Sequence, residues 1–242
     1  MAKKISAVKN SKDVLELIKE RRSSRIPFKA GRPVAKADLI KILDAGCWAP
    51  TAHNMQNFQI VIVDDKAILG KIYAIKSRIS LTFIKENYKQ LSFSNEELLK
   101  KKTGIMGAMF PRSWTTPGAK IDRNADSRPM LASPVLAVVL YDPSQRAPAS
   151  EGDFLGIMSL GCVMENLWIM AASLGLGFHV VSSLGSGPTE KEVKRILGIP
   201  EKWKIAFTFR LGYPASAGPY LRIRRDIPDF AHHNRFGRRL KA

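Results

Sequence analysis

The longest apolar stretch of the chain, Phe154 to Leu176, most constrains how the sequence can fold. Its apolar side chains point in nearly all directions around a helix, so the pattern predicts a central helix from Asp153 to about Leu174. Glu165 and Asn166 lie at its middle. We interpret them as core polar residues with satisfied hydrogen bonds rather than as catalytic residues. Because a membrane span rarely carries such groups at its centre, we interpret the stretch as a buried core helix.

Shorter patterned segments alternate around this helix. Strands are predicted at 58–63, 134–141, 178–182 and 205–211, helices at about 11–22, 36–48 and 66–75, and a further helix opened by a capping box at Thr189–Glu192. The order lacks the strict repeat of a doubly wound fold. We expect a single domain over 1–242, with an insertion or lid at about 76–130 where periodicity is poor. This insertion contains Met106, Phe110 and Trp114, which would form either a lid that excludes water or part of the ordinary core.

The chain is strongly basic, with a net charge of +18 and a pI of about 10.1. This charge suits nucleic acid, a membrane surface or anionic ligands. The basic residues are spread widely, however, and no RNA-binding aromatic signature accompanies them. Nucleic-acid binding is therefore the weaker interpretation.

The cysteines and histidines indicate no metal site. Cys47 and Cys162 lie far apart in apolar surroundings, and we expect two buried thiols in a reducing cytoplasm. The spacing of the four histidines matches no zinc template. The N-terminus lacks an apolar signal core, so we expect a cytoplasmic protein without a membrane partner. Serine-hydrolase and Walker motifs are also missing from the sequence.

Two segments carry candidate binding chemistry. Arg21-Arg22-Ser23-Ser24-Arg25 follows an amphipathic helix, and arginine forks with hydroxyls can hold a phosphate. A solvated basic surface is the alternative. In the second segment, the side chains of Thr51, Asn54 and Gln56 offer donors and acceptors to a planar heterocycle, although an ordinary capped turn would use the same residues.

Taken together, these pieces resemble the nitroreductase family of flavin enzymes. The matching segments are Arg21–Arg25, Ala49–Phe58, Gly175–Pro188, Leu211–Pro214 and Arg224–Ile227. Thr51 stands where the family usually has Ser, and Asn57-Phe58 where it has Pro-Trp. The resemblance implies an α+β three-layer sandwich, with a mixed, mostly antiparallel sheet flanked by helices. It also implies an entwined homodimer wrapped by a C-terminal extension at about 215–242.

The resemblance further implies an FMN site at the homodimer interface. Arg21, Arg22, Ser23 and Arg25 would hold the phosphate and ribityl chain, with Arg224 or its neighbour Arg225 adding a phosphate contact. Thr51 and Asn54, with Gln56 in the same segment, would approach the ring from the other subunit. Val181, Ser182 and Ser183 fall where the family chain passes the ring.

The activity implied is transfer of hydride from NADH or NADPH through FMN to an electron-poor acceptor, such as a nitroaromatic or a quinone. Because donor and acceptor would use the same site in turn, we expect ping-pong kinetics. No side chain is assigned as a catalytic residue, since the flavin carries the hydride chemistry. Reductive dehalogenation and flavin fragmentation are alternatives within the family. A basic nucleic-acid-binding protein is the alternative from another class.

Overall fold

The computed structural model describes residues 11–29, 31–76, 94–102, 133–216 and 222–240. The chain divides into two compact units, one drawn from Met1–Ser77 and Asp126–Ala217, the other from Arg78–Ala125 and Gly218–Ala242. The single domain with an insertion at about 76–130 and a C-terminal extension at about 215–242 stays a prediction. Met106, Phe110 and Trp114 lie outside the described residues, so the lid stays a prediction.

Helices and strands alternate along the described chain, close to their predicted positions. In chain order they are α1 (Ser11–Glu20), α2 (Lys36–Cys47), β1 (Gln59–Val63), α3 (Lys66–Tyr73), α4 (Asn95–Lys101), β2 (Val135–Tyr141), α5 (Phe154–Ser173), β3 (Gly177–Val180), α6 (Gly187–Leu197), β4 (Lys204–Gly212) and α7 (Ile227–Phe230). Short 3-10 turns lie at Ala52–Asn54, Glu151–Asp153 and Ser182–Gly185. The second unit contains α4 and α7, and the other elements belong to the first.

The first unit is a three-layer sandwich. Its strands pair antiparallel in the order β1-β2-β4-β3. Alternate residues of β2 enter two cores: Val135 and Val139 face the core shared with α2 and α5, and Leu136 and Val138 face the core shared with α3 and α6. Burial on both faces explains the continuous apolar run of β2. The predicted α+β sandwich is confirmed.

The long helix α5 is central only along its second half. Val163, Leu167 and Ala171 are buried there, whereas Phe154 and Ile157 near its start are exposed. Gly46 of α2 lets the helices approach closely, since a Cβ at that position would lie 2.8 Å from Leu167 Cδ2. Among the described residues, α5 alone is long and apolar enough to cross a membrane. Its packing against α2 and β3 identifies it instead as a core helix with one uncovered apolar end.

Two local expectations need correction, and one helix was not expected. The thiol of Cys47 is exposed, because Gly46 rather than Cys47 faces α5. The helix α6 begins at Gly187, before the predicted capping box, and the Glu190 carboxylate instead accepts a hydrogen bond from the Ile205 amide at 3.0 Å. The helix α4, whose capping box pairs Ser94 with Glu97, was not predicted. Within the described ranges, no three His, Cys, Asp or Glu side chains are grouped to hold a metal ion.

Candidate functional site

The arginine-rich segment, residues 21–25, runs from the end of α1 along the edge of the sheet at β3. The Ser24 amide donates to the Phe178 carbonyl at 2.8 Å. Farther along, the Lys29 amide donates to the Tyr213 carbonyl, also at 2.8 Å. These backbone bonds fix the segment on the β3–β4 side of the sheet. The cluster is therefore presented by backbone attached to a sheet edge, a more rigid support than a free surface loop.

Two of the arginines contact the buried half of α5. The guanidinium carbon of Arg21 lies 4.3 Å from the centroid of the Trp168 ring, and its Nε lies 3.0 Å from Glu165 Oε1. This Nε–H is close enough for an ion pair but is not aimed at the carboxylate as a hydrogen bond. The Trp168 ring nitrogen donates to the Arg22 carbonyl at 3.1 Å. Glu165 thus offsets part of the positive charge, while the Arg22 side chain is exposed.

The residues predicted to pass the ring follow directly after β3, the strand that the arginine segment borders. The Val181 amide donates to the Thr208 carbonyl at 2.8 Å, and the Thr208 hydroxyl donates to the Val181 carbonyl at 2.5 Å. Val181 is buried, whereas Ser182 and Ser183 are exposed at the start of a 3-10 turn. The structure therefore connects the arginine segment and residues 181–183 through one strand.

The polar loop 51–57 joins α2 to β1 and has an unusual backbone. The angle φ is 50° at His53, 53° at Asn54 and 48° at Gln56. Asn and His adopt this left-handed region more easily than most residues, whereas Gln enters it less often, at a cost of order 1 kcal/mol or more. Such strain clusters at ligand sites, so it marks this loop as a candidate binding element.

Hydrogen bonds hold the strained loop against the start of α5. The Ala52 amide donates to Ser159 Oγ at 2.9 Å. The Gln56 amide donates to Thr51 Oγ1 at 3.2 Å, and its side-chain amide donates to Asn54 Oδ1 at 3.0 Å. Asn54 and Gln56 remain exposed and can still reach a ligand. The three predicted polar residues thus form one connected group.

Asn57 is a site residue whose role the sequence pattern did not predict. Its side-chain amide donates to the carbonyls of Asp142 at 2.8 Å and Gln145 at 3.1 Å, and its Oδ1 accepts from the Asp142 amide at 3.0 Å. The Ser144 hydroxyl and amide both donate to the Asp142 carboxylate, and these bonds lower the pKa of that carboxyl group. Asn57 therefore ties the loop to the turn after β2.

A cleft lies between this loop and the first turns of α5. It is lined by Thr51, Ala52, Met55, Gln56, Asn57, Phe58, Gln145, Ala147, Gly156, Ser159 and Leu160. Gly156 and Ala147 contribute little side-chain volume, which leaves room beside the apolar Phe58 and Leu160. The cleft is small, and both apolar and amide side chains line it.

The two late arginines lie in the second unit. Arg224 is exposed and donates to the Ile223 carbonyl at 2.7 Å, and Arg225 lies 5.4 Å from the centroid of the Phe230 ring. In the same unit, Lys102 bonds the carboxylates of Asp226 and Asp229, each at 2.6 Å. The contact of Arg224 or Arg225 with a phosphate stays a prediction.

The fold agrees with the match to known proteins. The sequence matches the model of the nitroreductase family over residues 18–213, and the chain belongs to that family. A protein of Archaeoglobus fulgidus named "Putative NADH dehydrogenase/NAD(P)H nitroreductase" is 25% identical over 203 residues, covering 84% of this chain and 86% of that protein.

Solved structures share the architecture. One is a nitroreductase with bound FMN from Bacteroides fragilis, with 21% identity and a TM-score of 0.57, covering 91% of this chain and 98% of that one. Another is an FMN-dependent nitroreductase from Clostridium difficile, with 18% identity and a TM-score of 0.57, covering 92% and 99% of the two chains. At these identities the likeness establishes the fold.

Proposed function

We propose that the protein is an FMN-dependent oxidoreductase that transfers hydride from NADH or NADPH to an electron-poor acceptor, such as a nitroaromatic or a quinone. The family match and the FMN-bound relatives support this proposal. The observation that carries it is the arginine segment held on β3, the strand that leads into Val181–Ser183. Donor and acceptor would use one site in turn, which predicts ping-pong kinetics.

The donor chemistry of the segment fits the phosphate of FMN. Arg22 is exposed, and Ser23 and Arg25 are partly exposed, so their guanidinium and hydroxyl groups can reach a dianion. Arg21, held between Trp168 and Glu165, would add positive charge beside the phosphate. Bound FMN would supply the hydride-accepting and hydride-donating chemistry, and the protein would supply binding, orientation and exclusion of water.

The other assigned residues would act on the ring and at the dimer interface. Thr51, Asn54 and Gln56 would contact the ring from the partner copy, and Val181, Ser182 and Ser183 would pass it from within the chain. Arg224 or Arg225 would add a phosphate contact. The exposed apolar start of α5 supports the homodimer, and we place the protein in the cytoplasm.

The first experiment is the visible spectrum of the purified protein, before and after reconstitution with FMN. The two absorption bands of an oxidised flavin are expected. A colourless protein that takes up no FMN, yet binds DNA with a steep salt dependence, would instead favour the nucleic-acid interpretation. Turnover is then measured with NADH and with NADPH, each with nitroaromatic, quinone and halogenated acceptors. These assays separate the reduction of nitro compounds or quinones from reductive dehalogenation.

The phosphate assignment is tested by the double variant Arg21→Ala with Arg25→Ala. We expect FMN binding to weaken by about 1.5–3 kcal/mol for each charge-assisted bond lost, measured by quenching of flavin fluorescence. The control is Lys191→Ala with Arg195→Ala, which removes two exposed cations from α6. Unchanged FMN affinity in the first double variant, or equal losses in both, would refute the assignment.

A further inference from the structure

Arg210 on β4 is fully buried, and its guanidinium contacts the backbone of the arginine segment. Its Nη2 donates to the carbonyls of Ser24 at 3.1 Å and Ile26 at 2.8 Å. These two carbonyls flank Arg25. One guanidinium nitrogen carries two N–H groups, so it can bond both carbonyls at once. The bonds fix the peptide group that precedes Arg25 and the peptide group that follows Ile26.

His179 directs this guanidinium from the neighbouring strand. His179 and Arg210 are paired in the register of β3 and β4, and the Arg210 Nε donates to His179 Nδ1 at 2.9 Å. Burial lowers the pKa of His179 from 6.5 to about 3, and the charges of Arg210 and Arg25 act in the same direction. The imidazole therefore stays neutral and keeps its acceptor at working pH.

Two glycines bring the segment into direct contact with these strands. Gly177 and Gly212 are paired in the same register. A Cβ at Gly177 would lie 2.6 Å from Ser24 Oγ, and one at Gly212 would lie 2.6 Å from Phe28 Cγ. The ring of Phe28 also packs 4.5 Å from the Arg210 guanidinium carbon. The chain is thus packed on the sheet both at Ser24 and at Phe28.

Burying the Arg210 guanidinium costs desolvation free energy that packing alone would not require. Its neighbours on β4, Phe209 and Leu211, are fully buried apolar residues, and an apolar side chain would avoid the desolvation of a charge. We infer that Arg210 is a positioning residue, oriented by His179, that holds Ser24–Ile26 in the geometry in which Arg25 and its neighbours bind a phosphate group. This inference rests on the proposed FMN site.

The test compares FMN with riboflavin, which lacks only the phosphate, on the full-length protein. In Arg210→Met, the ratio of FMN affinity to riboflavin affinity falls about tenfold, as expected when about one charge-assisted phosphate bond is lost. Riboflavin affinity itself is nearly unchanged. His179→Leu also lowers the ratio, and His179→Gln restores it because a side-chain oxygen can again accept the Nε–H.

The matched control is Lys194→Met, which also removes a buried cation from the first unit. Lys194 donates to the Glu201 carbonyl at 3.0 Å, so its loss lowers Tm without changing the ratio. If Arg210→Met does not fold, Arg210→Lys, which keeps the charge but lacks the planar fork, and His179→Leu decide the question. An unchanged ratio, or equal loss of both flavins, overturns the inference. A wild-type protein that binds neither flavin contradicts the proposed function and the inference with it.

Discussion

His179 is a histidine that the fold keeps uncharged. Its folded pKa of about 3 lies well below the ordinary 6.5, chiefly because burial disfavours the imidazolium. Below pH 6.5 the unfolded chain takes up a proton on this residue, whereas the folded chain does not until about pH 3. Its contribution to stability is therefore complete above pH 6.5 and is lost progressively as the pH falls towards 3.

This titration predicts a specific pH dependence of stability. Between pH 7.5 and pH 5, His179 alone should reduce the free energy of unfolding by about 2 kcal/mol. The variant His179→Gln retains an acceptor for Arg210 but does not titrate, so its loss of stability over this range should be smaller by that amount. Urea unfolding of both proteins at the two pH values measures the difference. The same loss in both proteins would contradict a neutral buried His179.

At the scale of elements, Asn57 attaches the strained loop 51–57 to the turn that follows β2. In Asn57→Ala, the loop loses its bonds to the carbonyls of Asp142 and Gln145, and the Asp142 amide loses its acceptor. We expect the free energy of unfolding to fall by about 1–3 kcal/mol. Urea unfolding measures this loss.

The control for Asn57→Ala is Gln145→Ala, which should leave stability within about 0.5 kcal/mol of the wild type, since the bonds of Gln145 to Asn57 and Asp142 use its backbone carbonyl and amide, which the substitution keeps. Limited proteolysis adds a local measurement, because a released loop is cut faster while the sheet stays intact. Equal stability of Asn57→Ala and Gln145→Ala would mean that the loop is held by other contacts.

The elements differ in how far the sequence determines them. Strand β2 could be predicted because it is buried on both faces, so its apolar run is unbroken. Helix α4 was missed because its stretch lacks apolar periodicity, although the Ser94–Glu97 capping box was readable. The polar residues of the loop were named from their side-chain chemistry and from the family resemblance, and their contact with a ring stays a prediction. The partners of Asn57 lie 85 and 88 residues away, and such contacts leave no local signal.

At the scale of the whole molecule, the start of α5 presents an uncovered apolar surface. Phe154 is 64% exposed, Ile157 60% and Met158 52%, on a helix whose second half is buried. Exposed apolar groups concentrated on one element indicate an interaction surface. A second copy of the chain is the occupant that the proposed FMN site requires, because Thr51 and Asn54 would reach the ring from that copy.

The variant Ile157→Lys tests this assembly. A lysine at the centre of the apolar surface should shift the proposed dimer towards monomer, since an unpaired charge is costly to bury in an interface. Sedimentation velocity at several concentrations measures the shift, and flavin content should fall with the dimer fraction. Ile40→Lys is the control, because Ile40 is 57% exposed on α2, away from the residues that face α5. A monomeric wild-type protein that retains FMN would show that each chain completes its own flavin site.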